Sequence, residues 1–84
     1  MVMSEPEHDH ARLRRIRRMT LASRLRQLRA ARGLSQEQLA DRAGIDRSNY
    51  SRVESGKVSP SADLLFDIAA ALHVHISEVF RDPP

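Results

Sequence analysis

The segment IDRSNYSRVESGK, from Ile45 to Lys57, holds the residues best suited to chemistry. Wound as a helix, it gathers Asp46, Asn49, Tyr50 and Val53 on one side. Ser48, Ser51, Arg52 and Ser55 fall opposite, with Arg47 at the edge of the first turn. Small hydroxyl side chains let such a face approach a partner closely. An arginine fork matches the O6 and N7 acceptors of guanine, and serine donates to or accepts from several bases or a phosphate. A helix meant only to be solvated more often carries Glu and Lys. This face therefore fits nucleic acid.

Other chemistries find little support. His8 with His10, and His73 with His75, form H-x-H pairs, but no Cys or carboxylate cluster completes a metal site. Residues two apart also diverge on a helix, so local surface or capping roles are expected and no metal is assigned. No G-x-S-x-G elbow surrounds any serine. No phosphate-binding glycine loop is present, and the three glycines are isolated. The expectation is a protein that is not an enzyme and takes no cofactor.

A chain of 84 residues with 40% hydrophobic and 30% charged residues is one small globular domain. Without Trp, and with few aromatics, its core must come from Leu, Ile, Val and Ala. Such a core is marginal, and dimerisation would help it. The absence of Cys excludes disulfides and fits a reducing compartment. The longest apolar run, Ile68 to Leu72, is too short for a bilayer, and the N-terminus lacks a signal-peptide core. A cytoplasmic protein is expected. The net charge is +3, unevenly spread: nine arginines and no acid lie from Arg12 to Arg32, whereas Asp63 to the end holds four acids and one arginine. One end would meet a polyanion.

The elements that position these residues are helices. Residues 1–19 form an extension, first acidic and then Arg-rich. Met1 to His10 reads as a flexible polar tail. Ala11 to Met19, with Leu13, Ile16 and Met19 among five arginines, is either a helical extension or a disordered arm. Residues 20–82 hold the domain. Thr20 is placed to cap a first helix running to about Arg32, with Leu21, Leu25 and Leu28 on its inner face. Ser35 and Gln38 form a capping box for a second helix, which Gly44 stops. Asp46 caps a third, running to about Glu54. Ser61 caps a fourth with the apolar stripe Leu64, Leu65, Ile68, Ala69 and Leu72. A short fifth holds Val79 and Phe80. The fold class is all-α, five helices joined by tight turns, with a helix-turn-helix at the second and third.

The run RGLSQEQLADRAGIDRSNYSRVESGKVSPSADLLFDIAAALHVHISEVF resembles the Cro/C1-type (XRE-type) helix-turn-helix family, which has the lambda-repressor-like fold. The likeness covers about Leu21 to Phe80. It implies that the third helix is the recognition helix and enters the DNA major groove. It implies a phosphate contact for Gln36 and base-edge contacts for Arg47, Ser48 and Arg52, with Asn49, Ser51 and Lys57 as further DNA-binding candidates. It also implies an ion pair between Arg29 and Glu54 that orients this helix.

Three residues depart from the pattern. Tyr50 fills a site usually held by a small aliphatic, so its hydroxyl must reach the surface or a partner. His73 stands where Gly often ends the fourth helix, and His75 where Ser often starts the fifth.

By this resemblance the chain is a sequence-specific regulator of double-stranded DNA, working as a homodimer on a (pseudo)palindromic operator. Ile76, Val79 and Phe80 are the expected dimer residues, with Leu13, Ile16 and Met19 as the alternative. The extension's arginines are expected to add phosphate or minor-groove contacts. The same module also serves antitoxins and restriction-modification controllers. A helical protein-interaction adaptor is the rival from another class, and Arg47 and Arg52 argue against it.

Overall fold

The computed structural model describes residues 6–81, with side chains from Asp9 onward. Five helices follow in order: α1 (Pro6–Ala31), α2 (Gln36–Ala43), α3 (Arg47–Glu54), α4 (Ala62–Leu72) and α5 (Ile76–Val79). Helix α1 packs against α3 and α5, α2 against α3 and α4, and α4 against α5. The core gathers Leu25, Leu39, Tyr50, Val53, Ile68 and Leu72, all 0–2% exposed. Burying one such aliphatic side chain contributes about 1.5–3 kcal/mol.

The largest difference from the sequence reading lies in α1. Thr20 caps nothing: it sits inside a helix of 26 residues, about 39 Å long. Between Pro6 and Gly33 there is no Gly or Pro. The stretch is rich in Arg, Leu and Ala, which propagate a helix well once it has started. Pro6 occupies the first helical position, where its missing N–H costs nothing. The segment expected as a flexible tail is therefore helical from Pro6 onward, and no break separates the extension from the domain. Residues 1–5 and 82–84 of the expected tails lie outside the described residues.

Four helix ends share one hydrogen-bond pattern, illustrated by α3. The Gly56 amide donates to the Val53 carbonyl at 3.1 Å, and the Lys57 amide to the Arg52 carbonyl at 3.1 Å. This is the Schellman arrangement, which needs a left-handed residue just past the helix. At Gly56, with φ +77°, glycine meets that need. A Cβ there would also stand 2.6 Å from the Met19 sulfur. At α4 the left-handed residue is His73, with φ 57°. Its amide donates to Ala70 and the next one, Val74, to Ala69. His73, standing where Gly often ends the helix, takes the left-handed conformation, and the motif forms despite the side chain.

The start of α5 also solves a departure. Nδ1 of His75 accepts the Ser77 amide at 3.1 Å, so an imidazole takes the place of a capping hydroxyl. Ser35, Asp46 and Ser61 cap α2, α3 and α4 as expected, and the Ser35–Gln38 box forms in both directions.

Replacing His73 by Gly removes the left-handed strain but adds freedom to the unfolded chain. A net gain of about 0.5–1 kcal/mol is expected. Urea unfolding of both proteins checks it, and a loss of stability would show that the His73 side chain makes a contribution beyond its cap.

Candidate nucleic-acid interface

Helix α3 shows two faces. Tyr50, Val53 and Glu54 are buried, while Arg47, Ser48, Arg52, Ser55 and Lys57 are exposed. Ser51 is half-buried beside Arg47 and Arg52, and Asn49 is half-buried at the boundary with the core side. The sequence candidates therefore do come together, as one polar, cationic surface along α3 and its C-terminal turn. Ser55 is the exception: its hydroxyl donates to the Arg52 carbonyl at 3.0 Å and is spent on the helix end.

What fixes α3 is a buried ion pair. Nε of Arg29 donates to one carboxylate oxygen of Glu54 at 2.8 Å, and Nη2 donates to the other at 2.6 Å. Both oxygens of a carboxylate 1% exposed are thus met by one planar fork. Arg29 also donates to the Leu34 carbonyl at 2.7 Å, and Arg26 to the Glu54 carbonyl at 2.6 Å. The expected Arg29–Glu54 pair exists, and it joins α1, the turn before α2, and the end of α3.

Burial disfavours ionisation of Glu54, but the Arg29 hydrogen bonds, helped by Gln36, outweigh it and hold the carboxyl below its ordinary value of 4.5. The Glu54 hydrogen bonds hold the Arg29 guanidinium above its own ordinary value.

Gln36 has a more structural place than the resemblance implied. Its side-chain amide donates to a Glu54 oxygen at 3.2 Å. One amide hydrogen is thereby engaged in holding the Glu54 carboxylate. Tyr50 corrects an expectation. It is fully buried, and its hydroxyl has no hydrogen-bond partner among the described residues. The group borders the Arg29–Glu54 pair instead. Burial first, and the Glu54 carboxylate second, raise its pKa.

The turn after α3 is chemically unusual. In a Schellman motif the second residue past the helix commonly makes an apolar contact with the last turn. Leu34, Ile45 and Val74 hold that place after α1, α2 and α4, and all three pack on the core. After α3 the place goes to Lys57, which is exposed, and its amide bonds back to Arg52. An exposed cation thus stands where the other three helix ends place an apolar residue.

Helix α1 contributes cations that the sequence reading did not sort. Arg18 is half-buried, and its Nε donates to the Gly56 carbonyl at 3.3 Å, so it anchors α1 to this turn. Arg12, Arg15, Met19 and Arg26 follow at helical spacing on one face. Met19 and Arg26 touch the end of α3, so Arg12 and Arg15 continue its cationic surface. Arg14, Arg17, Leu21 and Arg24 follow on another face. There Arg24 binds Glu78 of α5, through the backbone carbonyl at 2.7 Å and the carboxylate at 2.9 Å. The anchors at Arg18, Arg24 and Arg26 were missed because arginine in a basic run looks like solvated charge. The signal, for Arg18 and Arg24, was their position beside the apolar stripe of α1.

His73 and His75 are both committed to caps. The side chain of His8 lies outside the described residues. Among the described residues no helix is long and apolar enough to cross a membrane.

Comparison with known proteins agrees with this geometry. Residues 25–79 match the helix-turn-helix family HTH_3, and the chain belongs to that family. It is 35% identical to an HTH-type transcriptional regulator of Archaeoglobus fulgidus over 71% of this chain and 86% of that one. It is 34% identical to the immunity repressor protein of Bacillus phage phi105, over 73% of this chain and 42% of the repressor. Among solved structures it is similar to the restriction-modification controller protein C.AhdI of Aeromonas hydrophila. The TM-score is 0.74 at 41% identity, over 75% of this chain and 96% of the controller. The protein is a DNA-binding transcriptional regulator of the helix-turn-helix type. The family match begins within α1 and leaves its Arg-rich first half outside.

Replacing Glu54 by Gln leaves Arg29 buried without its counter-charge, at an expected cost of about 3–5 kcal/mol at neutral pH. The folded-state pKa lies below 4.5, so the pair's stabilisation is complete above that pH and is lost as the pH falls through the folded value. Denaturant unfolding across a pH series should show the gap between wild type and variant narrowing in acid. A constant gap would mean that Glu54 acts by shape and not by charge.

Proposed function

We propose that the chain acts as a homodimer on a (pseudo)palindromic operator and reads each half-site with Arg47 and Arg52. The observation that carries this reading is the exposed cationic face of α3, rigidly held from behind by the Arg29–Glu54 pair. One helix contacts only a few base pairs, so a twofold pair supplies the specificity, with recognition helices about 34 Å apart. Arg47 and Arg52 take guanine edges, and Ser48, Asn49 and Ser51 add less discriminating contacts. Gln36 and Lys57 hold phosphates on either side, and Arg12 and Arg15 extend the phosphate track. Regulation then follows from operator occupancy in the cytoplasm, without catalysis or a cofactor. Control of a restriction-modification operon is the setting favoured by the likeness to C.AhdI over nearly all of that protein.

Selection of bound sites from a random duplex pool defines the operator and its half-site spacing. On that operator, Arg47→Ala or Arg52→Ala is expected to cost about 1–3 kcal/mol and to relax the preference at one G·C pair. A panel of single-base changes reads this directly. An even loss across the panel for both variants would assign both arginines to phosphate and refute direct readout.

The Arg12→Gln/Arg15→Gln double variant tests the α1 track. The slope of log affinity against log salt should become shallower by about 0.9 for each phosphate that is no longer neutralised, with base preference intact. An unchanged slope would remove α1 from the DNA contact.

A further inference from the structure

The other face of α1 overhangs a groove of about 610 Å³. Leu65, Val79 and Phe80 form its apolar floor, and Arg14, Arg17 and Arg81 its cationic rim. Phe80 is 63% exposed there, whereas Val79 is 1% exposed and belongs to the core. Ile76 is half-buried against the core as well. Of the three C-terminal residues expected to pair, only Phe80 therefore offers much surface. Arg24, bound to Glu78, pins α5 beneath α1 and keeps the groove's two walls in register.

The same chain carries a matching knob. On α4, Phe66 is 56% exposed, with the exposed Asp63 one turn before it and the exposed Asp67 next in the chain. An aromatic ring with two carboxylates beside it on the same helix is the complement of an apolar floor with an arginine rim. Phe66 directly follows Leu65, which lines the groove, so knob and groove share α4. A twofold axis beside α4 then seats each copy's knob in the other copy's groove, and both contacts form at once.

We infer that the dimer forms by this reciprocal insertion, with Phe66 of each copy in the arginine-rimmed groove of a second copy. The inference rests on the homodimer proposed above and names its surface. It gives the α1 extension two roles on two faces: Arg12 and Arg15 toward DNA, Arg14 and Arg17 toward the partner subunit. The acids of the C-terminal half are matched to the arginines of the N-terminal half across the interface. The complementary charges favour one register and penalise others.

Sedimentation equilibrium of the full chain without DNA tests it. Wild type should dimerise, and Phe66→Ser should raise the dissociation constant at least about 30-fold, as expected for loss of a central aromatic anchor. Phe66 is exposed, so the variant's circular dichroism and thermal unfolding as a monomer should be those of the wild-type fold. A charge exchange gives a second, independent readout. The Asp63→Arg/Asp67→Arg chain and the Arg14→Asp/Arg17→Asp chain should each be monomeric alone and should form a heterodimer when mixed. A monomeric wild type, an unchanged constant for Phe66→Ser, or no recovery on mixing overturns the inference. Binding to a duplex carrying one half-site is measured alongside. Its loss in the wild type would count against DNA recognition by α3 while leaving the dimer result standing.

Discussion

The carboxylate of Glu54 is buried where three helices meet, and the rest of the structure is arranged around keeping it ionised there. A lone carboxylate at that depth would be protonated or would unfold its surroundings. Arg29 meets both oxygens, Gln36 adds a hydrogen bond, and Arg26 takes the backbone carbonyl of the same residue. Each partner comes from a helix other than α3. The net stabilisation from such a pair is small because desolvation offsets attraction. Its geometric effect is large: α3 cannot rotate or slide without breaking several charged contacts. A helix fixed in that way can present Arg47 and Arg52 at a constant angle, which readout of base edges requires.

Stiffness also governs α1. A single helix of 26 residues ties two faces to two different elements because it has no break at which they could separate. The face holding Met19 and Arg26 is tied to the end of α3, and the face holding Leu21 and Arg24 is tied to α5. The Arg18 anchor ties the same helix to the turn at Gly56. The cationic surface and the groove are thus parts of one rigid body.

The helix ends show how local rules hold even with atypical residues. His73 adopts the left-handed conformation because the Schellman hydrogen bonds and the burial of Val74 outweigh the strain. His75 caps α5 through a ring nitrogen because the position requires an acceptor and not specifically a hydroxyl. Tyr50 shows the opposite outcome. Its ring fills the core, and its hydroxyl is carried beside the Arg29–Glu54 pair without a hydrogen-bond partner among the described residues. The packing of the ring outweighs the unsatisfied oxygen.

Much of this was legible in the residues alone. Ser35, Gln38, Asp46 and Ser61 mark helix starts because capping depends only on neighbours within a turn. Gly44 marks a stop for the same reason. The apolar stripe of α4 and the outward face of α3 follow from helical period. Other features depend on contacts between residues distant in sequence. Thr20 had the right chemistry for a cap, but the chain did not turn there, since nothing in its flanks broke the helix. The anchoring contacts of Arg18, Arg24 and Arg26 are invisible in a run of identical charges. The sequence by itself determined where α2, α3 and α4 begin and which of their faces is apolar, because those are short-range matters of period and hydrogen bonding. Only the tertiary structure decided which arginine meets a carboxylate, a carbonyl or water, because that depends on which element lies within reach of each side chain.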